Sequence, residues 1–123
     1  MLLSYLELRA YDTGTVGLVI GARTRSASNL VERGTATLLA VEPDTTVYVK
    51  LRTVDGPLPV SGSDEYGLGY FLLAVEEVLE DAPADWEGGM RITSALRYAP
   101  APTLDEPWAR ATLAALAEPR ARA

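Results

Sequence analysis

The sequence predicts a mainly β domain, built as a small antiparallel barrel or a curved sheet. About six runs of residues alternate between apolar and polar side chains or are rich in β-branched and aromatic residues, as strands are. Only two segments have a helical pattern, and they do not alternate with the strands as in a βαβ fold. The 123 residues, of which 48% are hydrophobic, suit a single domain covering residues 1–123.

The predicted strands are joined mostly by short connections. They cover residues 3–11, 15–20, 35–41, 46–54, 70–79 and 90–98. Asp12-Thr13-Gly14 is a turn sequence, which predicts a hairpin between the first two strands. Residues 55–67 contain two prolines, several glycines and no periodicity, so we expect a long loop there.

Two helices are predicted from their end signals. The first covers Ser26 to Arg33, and Gly34 is the glycine that commonly follows a helix. The second begins near Asp105, with acidic residues and Pro107 in its first turn, and continues to about Glu118. The domain should therefore have a short helix after its second strand and another helix after its last strand.

The composition excludes several classes of function. The chain has no cysteine and no histidine, which excludes thiolate metal sites, Ser-His-Asp triads and the usual general base near neutral pH. Its net charge of −6 argues against a nucleic-acid partner. No apolar run is long enough to span a membrane, and the first residues lack the basic region of a signal peptide. We expect a cytoplasmic protein whose chemistry, if it is an enzyme, comes from a cofactor.

The candidate binding site lies where the second strand ends and the first helix begins. This segment carries two arginines and two hydroxyls in succession, at Arg23, Thr24, Arg25 and Ser26. The unpaired N–H groups of a helix start attract anions, and an arginine can add a bidentate phosphate contact. The alternative is that Thr24 or Ser26 only caps the helix while the arginines are solvated. The acidic run from Glu76 to Asp81 is typical of a solvated face, so no metal site is predicted.

The run from Ala22 to Leu39, ARTRSASNLVERGTATLL, resembles the signature of the pyridoxamine 5′-phosphate oxidase-like family, the FMN-binding split barrels. Its matching parts are the basic and hydroxyl pair Arg25-Ser26, the helical pair Asn29-Leu30 and the strand that starts at Thr35. The segments 46–54 and 91–98 resemble later strands of the family. The resemblance implies a split β-barrel of about six antiparallel strands, in which the family's N-terminal helix and first strand have no counterpart.

The resemblance also implies a cofactor and a set of residues that bind it. The FMN phosphate would lie against Arg23, Thr24, Arg25 and Ser26. Ser4, at the start of the chain, would flank the isoalloxazine ring, and Tyr48 would reach the same site from the partner subunit. In the family the flavin sites usually lie between two chains, and one strand edge of this chain is exposed. Together these features predict a homodimer with two equivalent sites at the interface.

The function implied is that of an FMN-dependent oxidoreductase whose substrate the sequence does not identify. No side chain of the protein need act as a base, because the flavin carries the electrons. The alternative is a non-catalytic split-barrel protein that binds a flavin, another anionic ligand or only its partner chain.

Overall fold

The computed structural model describes residues 3–4, 6–63, 66–82, 91–97 and 104–122. Its elements are β1 (Leu8–Ala10), β2 (Thr15–Gly21), α1 (Arg25–Arg33), β3 (Thr35–Glu42), β4 (Thr45–Pro59), β5 (Leu68–Asp81) and α2 (Pro107–Ala115). The five strands form one antiparallel sheet in the order β1-β2-β5-β4-β3, so the sheet is not closed into a barrel. The predicted mainly β class is confirmed, and the arrangement is consistent with a split-barrel-like fold.

The turn of the first hairpin and the first helix lie where the sequence predicts them, but β1 covers only Leu8–Ala10 of the predicted strand 3–11, since residues 6–7 form a turn. β1 pairs with β2 around the Leu8–Leu18 pair, and the turn is fixed because the Gly14 N–H donates to the Asp12 carboxylate at 2.8 Å. α1 ends at Gly34, whose φ of 69° is in the left-handed region and whose N–H donates to the Leu30 carbonyl. Both predictions depend on short-range backbone chemistry and are confirmed.

The predicted loop over residues 55–67 is wrong in its first part, because residues 55–59 continue β4 and pair with β5. The pairing is irregular there, with register shifts on both sides of Asp55. Gly56 is needed at this point, since a Cβ would lie 2.7 Å from the Tyr70 carbonyl oxygen. The bulges interrupt the alternation of side chains and therefore hide this part of the strand from a periodicity analysis.

The predicted sixth strand is also wrong over its described part, because residues 91–97 form no strand. This segment is held instead at the turn between β3 and β4. The Ile92 carbonyl accepts a hydrogen bond from the Asp44 N–H at 2.8 Å, and the Arg91 guanidinium donates to the Asp44 carboxylate at 2.9 Å. Alternation alone does not make a strand when no neighbouring strand pairs with the segment. Residues 64–65 of the predicted loop and residues 90 and 98 of the predicted strand lie outside the described residues.

The sheet has an apolar cluster on each face. The first cluster packs under α1 and contains Val16, Leu18, Ile20, Ala27, Leu30, Leu51, Phe71 and Leu73. The second packs under α2 and contains Val19, Leu58, Val60, Tyr70, Ala111, Ala115 and Leu116. Neighbouring residues of one strand belong to opposite clusters, as alternation along a strand requires. Burial on both faces explains why β2 and the first half of β5 are continuously apolar.

The segment that follows α2 crosses the α2 face of the sheet and is fixed by two tyrosines. The hydroxyls of Tyr11 and Tyr70 lie 3.0 Å apart. Tyr11 donates to the Glu118 carbonyl at 3.2 Å, and the Tyr70 hydroxyl accepts from the Arg120 N–H at 3.1 Å. The Arg120 guanidinium also lies 5.2 Å from the centre of the Tyr70 ring, within cation–π range. Tyr70 is fully buried, so these bonds satisfy a polar group that has no access to water.

Tyr11 should make stability depend on pH in the alkaline range. Burial raises the pKa of Tyr11 above its ordinary value of 10.0, and the hydrogen bond with Tyr70 raises it further. Because the pKa of Tyr11 is higher in the folded than in the unfolded state, the protonated Tyr11 stabilises the fold. This contribution is complete below about pH 10 and is lost as the pH rises. We expect the free energy of unfolding, measured with urea, to fall above that pH, and to fall less steeply in Tyr11→Phe. Tyr66→Phe, at an exposed tyrosine, should keep the wild-type slope; equal slopes in all three proteins would contradict the assignment.

Candidate functional site

A cleft of about 460 Å³ lies on the α1 face of the sheet, between α1, β1 and the edge strand β3. Its floor is apolar and belongs to the core cluster under α1. Its walls come from one face of α1, from β3, and from Leu3, Leu8 and Leu96. The volume is within the range of small-molecule sites, about 300–1,000 Å³. This cleft is therefore the candidate functional site.

The residues that line the cleft are apolar or neutral. Its polar lining residues are Ser26, Asn29, Thr35 and Thr37, and none of its lining residues titrates. Ala36 and Leu38 pack on the cluster under α1, so strand alternation puts the side chains of Thr35 and Thr37 on the other face. The Ser26 hydroxyl and the Asn29 carboxamide can orient a ligand through hydrogen bonds. They do not supply a general acid or base near neutral pH. The cleft can bind and orient a ligand, but proton transfer would need a group that the lining does not provide.

Thr24 is the N-cap of α1. Its hydroxyl accepts a hydrogen bond from the Ala27 N–H at 3.2 Å and donates one to the Gly21 carbonyl at 2.8 Å. Thr24 is half-buried and is not one of the residues that line the cleft. The capping alternative is thus what the structure shows for Thr24, and its hydroxyl is occupied by the backbone on both sides.

The cap predicts a modest loss of stability in Thr24→Ala. Loss of a capping hydroxyl costs about 0.5–2 kcal/mol in the free energy of unfolding. Urea denaturation should show this loss, while Thr24→Ser keeps the hydroxyl and should remain within a few tenths of a kcal/mol of the wild type. An alanine variant as stable as the wild type would mean that the cap contributes nothing.

The other predicted residues at the helix start are divided between the cleft and the solvent. Ser26 is half-buried and lines the cleft, whereas Arg23 and Arg25 are exposed. Arg25 precedes the lining residue Asn29 by four positions, so it lies on the same face of α1, one turn nearer the helix start. No other described residue accepts a hydrogen bond from the backbone N–H of Arg25 or Ser26. The first turn of α1 contains no acidic residue, which leaves this end of the helix positive.

The two remaining predicted residues are not lining residues of the cleft in a single chain. The Ser4 hydroxyl donates to the Glu7 carboxylate at 2.8 Å and accepts from the Leu6 N–H at 3.3 Å, so it closes a turn before β1. Tyr48 pairs with Leu39 across β3 and β4. Its neighbour Val49 packs on the cluster under α1, so strand alternation puts Tyr48 on the opposite face. Its role in the site of a partner subunit stays a prediction.

Sequence reasoning missed the contribution of β3 and of Leu96 to the cleft. Thr35, Thr37 and Leu39 line it from the sheet edge, and Leu96 reaches it from a segment predicted to be a strand. The available signal was the run of uncharged residues from 35 to 41, which is unusual for an exposed edge. For Leu96 no local signal exists, because its position depends on a contact with residues about fifty positions earlier.

Comparisons with known proteins do not identify the family. No family model matches the chain, and neither the curated proteins nor the solved structures contain a match. Among the described residues, no cluster of acidic side chains could hold a metal ion. The helices of the described part are too short or too polar to cross a membrane.

Proposed function

We propose that the cleft beside α1 binds FMN and that the protein is an FMN-dependent oxidoreductase of the split-barrel type. The observation that carries the proposal is the position of the cleft, which adjoins the positive end of α1 and includes Ser26 in its wall. The proposal includes a cytoplasmic homodimer in which Tyr48 of one copy serves the cleft of the other. The resemblance of residues 22–39 to the flavin-binding signature supports the choice of FMN over other ligands.

The groups at the helix start fit a phosphate. The free N–H groups of Arg25 and Ser26, the Ser26 hydroxyl and the Arg25 guanidinium are all donors, and a phosphate offers acceptor oxygens with negative charge. Thr24 contributes indirectly, because its cap fixes the first turn and thereby the direction of these N–H groups. Arg23 adds positive charge in the turn before the helix.

The body of the cleft fits the flat ring system. Its apolar floor would cover a face of the ring, and the Asn29 side chain and the free backbone groups of Thr35 and Thr37 could reach polar atoms on the ring edge. FMN, when bound, supplies the redox chemistry. The chain itself binds the phosphate, orients the ring and excludes water from it.

The neutral and largely apolar lining of the cleft is equally compatible with a second candidate function, binding without catalysis. In this case the protein holds a flavin or another anionic ligand, or only pairs with its partner chain. Where the second candidate binds a flavin, both candidates use the same phosphate site. They differ only in whether a bound flavin exchanges electrons with a donor.

Titration with FMN and with riboflavin tests the proposal. We expect binding of FMN, followed by its fluorescence, to be tighter than binding of riboflavin, which lacks the phosphate. Reduction of bound FMN by a nicotinamide or deazaflavin donor faster than that of free FMN would support the oxidoreductase. Bound FMN that no donor reduces would favour the binding protein, and a protein that binds neither flavin would contradict both flavin functions.

A further inference from the structure

The outer edge of β3 is an unprotected strand edge. β3 pairs with β4 from the Thr35–Arg52 pair to the Glu42–Thr45 pair with no register shift. Residues 35–41 contain no charge, proline or glycine. Proteins usually protect such an edge with charged residues, proline or a bulge, because it offers its backbone groups to any other strand. A regular and uncharged edge is typical of a strand that pairs with another chain.

The backbone groups that point away from the sheet can be assigned. The Gly34 carbonyl accepts from the Thr53 N–H at 2.8 Å, so the backbone of residue 34 faces β4. In an antiparallel ladder the direction alternates, and the N–H and C=O groups of the odd-numbered residues of β3 therefore face outward. No hydrogen bond from another described residue reaches them. These odd residues, Thr35, Thr37, Leu39 and Val41, also line the cleft, so the cleft lies along the free edge.

We propose that β3 pairs with β3 of a second copy of this chain to form a continuous sheet across a two-fold axis. A two-fold axis perpendicular to the sheet makes the two strands antiparallel. It brings Arg33, two residues before the start of one strand, near Glu42, at the end of the other strand. Neither residue forms an ion pair with another described residue, and the strand between them is neutral. Arg33 of each copy would thus face Glu42 of the other, which gives two pairs of opposite charges in the dimer.

The side chains also favour a second copy. Leu39, in the middle of the edge, is 51% exposed in the single chain, and pairing would place side chains of the second strand beside it. The second strand would also border the open side of the cleft, so the site would be completed by the partner. This inference requires no flavin, and its dimer differs from that of the proposed function. In a continuous sheet Tyr48 stays on the face away from α1 in both copies, so it would not reach the partner's cleft. An unrelated extended peptide would lack the self-complementary arrangement of Arg33 and Glu42.

Thr37→Pro tests the pairing of the backbones. Proline removes an N–H that faces outward and leaves the ladder with β4 intact. The two copies would each lose a hydrogen bond, so the dimer dissociation constant should rise about 5- to 150-fold. The matched control is Ala10→Pro, which places proline at an outward-facing position of the other edge strand, β1. Sedimentation of flavin-free protein at micromolar concentration measures the dimer dissociation constant of each variant. Circular dichroism checks that each variant is folded.

Charge reversal tests the alignment of the two strands. Arg33→Glu and Glu42→Arg should each raise the dimer dissociation constant about 2- to 30-fold at low salt, because two exposed ion pairs are replaced by repulsions. The double variant restores opposite charges and should recover the wild-type constant. Failure of the double variant to recover would overturn the antiparallel alignment.

The remaining outcomes separate this inference from the proposed function. A wild-type protein that is monomeric at micromolar concentration would overturn the pairing, whatever the flavin titrations show. A dimer that Thr37→Pro and Ala10→Pro weaken equally, or that neither weakens, would also overturn it. A dimer weakened only by Thr37→Pro would support the pairing even if the protein binds no FMN.

Discussion

Arg25→Ala is expected to weaken FMN binding by about 10- to 150-fold. The guanidinium would donate to the phosphate, and a hydrogen bond between charged groups contributes about 1.5–3 kcal/mol, which corresponds to this range of affinity. The backbone N–H groups and the Ser26 hydroxyl remain in the variant, so binding should be weakened and not abolished. Flavin fluorescence titrations of the wild type and the variant give the two dissociation constants.

Three comparisons make this result specific to the phosphate. Riboflavin has no phosphate and should bind the wild type and Arg25→Ala equally. Arg110→Ala removes another exposed arginine, from α2 on the other face of the sheet, and should leave FMN affinity unchanged. The stability of Arg25→Ala should stay within about 0.5 kcal/mol of the wild type, as for most surface substitutions. Equal FMN affinities of wild type and variant would mean that the start of α1 does not bind the phosphate.

The local parts of the fold could be predicted from the sequence. The turn at Asp12-Thr13-Gly14 and the glycine that ends α1 are set by the preferences of a few adjacent residues. The N-cap is of the same kind, because a threonine hydroxyl three residues before a helical N–H bonds to it in any fold. Such features hardly depend on distant contacts, so the sequence around them suffices.

The features that were missed depend on contacts between distant residues. Residues 55–59 extend β4 because β5 pairs with them, although Gly56 and two prolines argue locally for a loop. Residues 91–97 have a strand pattern and lie instead against Asp44. No periodicity analysis can decide which segment pairs with which edge.

Only half of the candidate site was predicted, because its other half depends on contacts between distant residues. Its helical end, with Arg25 and Ser26, follows from the chemistry of a helix start. The cleft itself requires α1 to lie over the sheet next to β3, and this arrangement follows from the burial of Ala27 and Leu30 against the first cluster. The face on which Tyr48 lies depends on the register of β4, which the sequence alone left open.

Leu73→Ala is expected to cause the largest loss of stability among these substitutions. Leu73 is completely buried in β5, where it packs in the cluster under α1 and forms part of the cleft floor. Truncation of a buried leucine removes apolar contacts and leaves a cavity, at a cost of about 2–5 kcal/mol in the free energy of unfolding. A domain of this size is stable by only about 5–15 kcal/mol, so the urea midpoint should fall by a large fraction.

Leu79→Ala is the matched control, because it makes the same change in the same strand. Leu79 is 43% exposed, at the end of β5 that neither helix covers, so its truncation should cost about 1 kcal/mol or less. The difference between the two losses in the free energy of unfolding measures how much the burial of Leu73 in the first cluster stabilises the domain. Similar losses in both would mean that Leu73 is not a core residue. In that case β5 would present its other side chains to α1, and the floor of the cleft would be built from different residues.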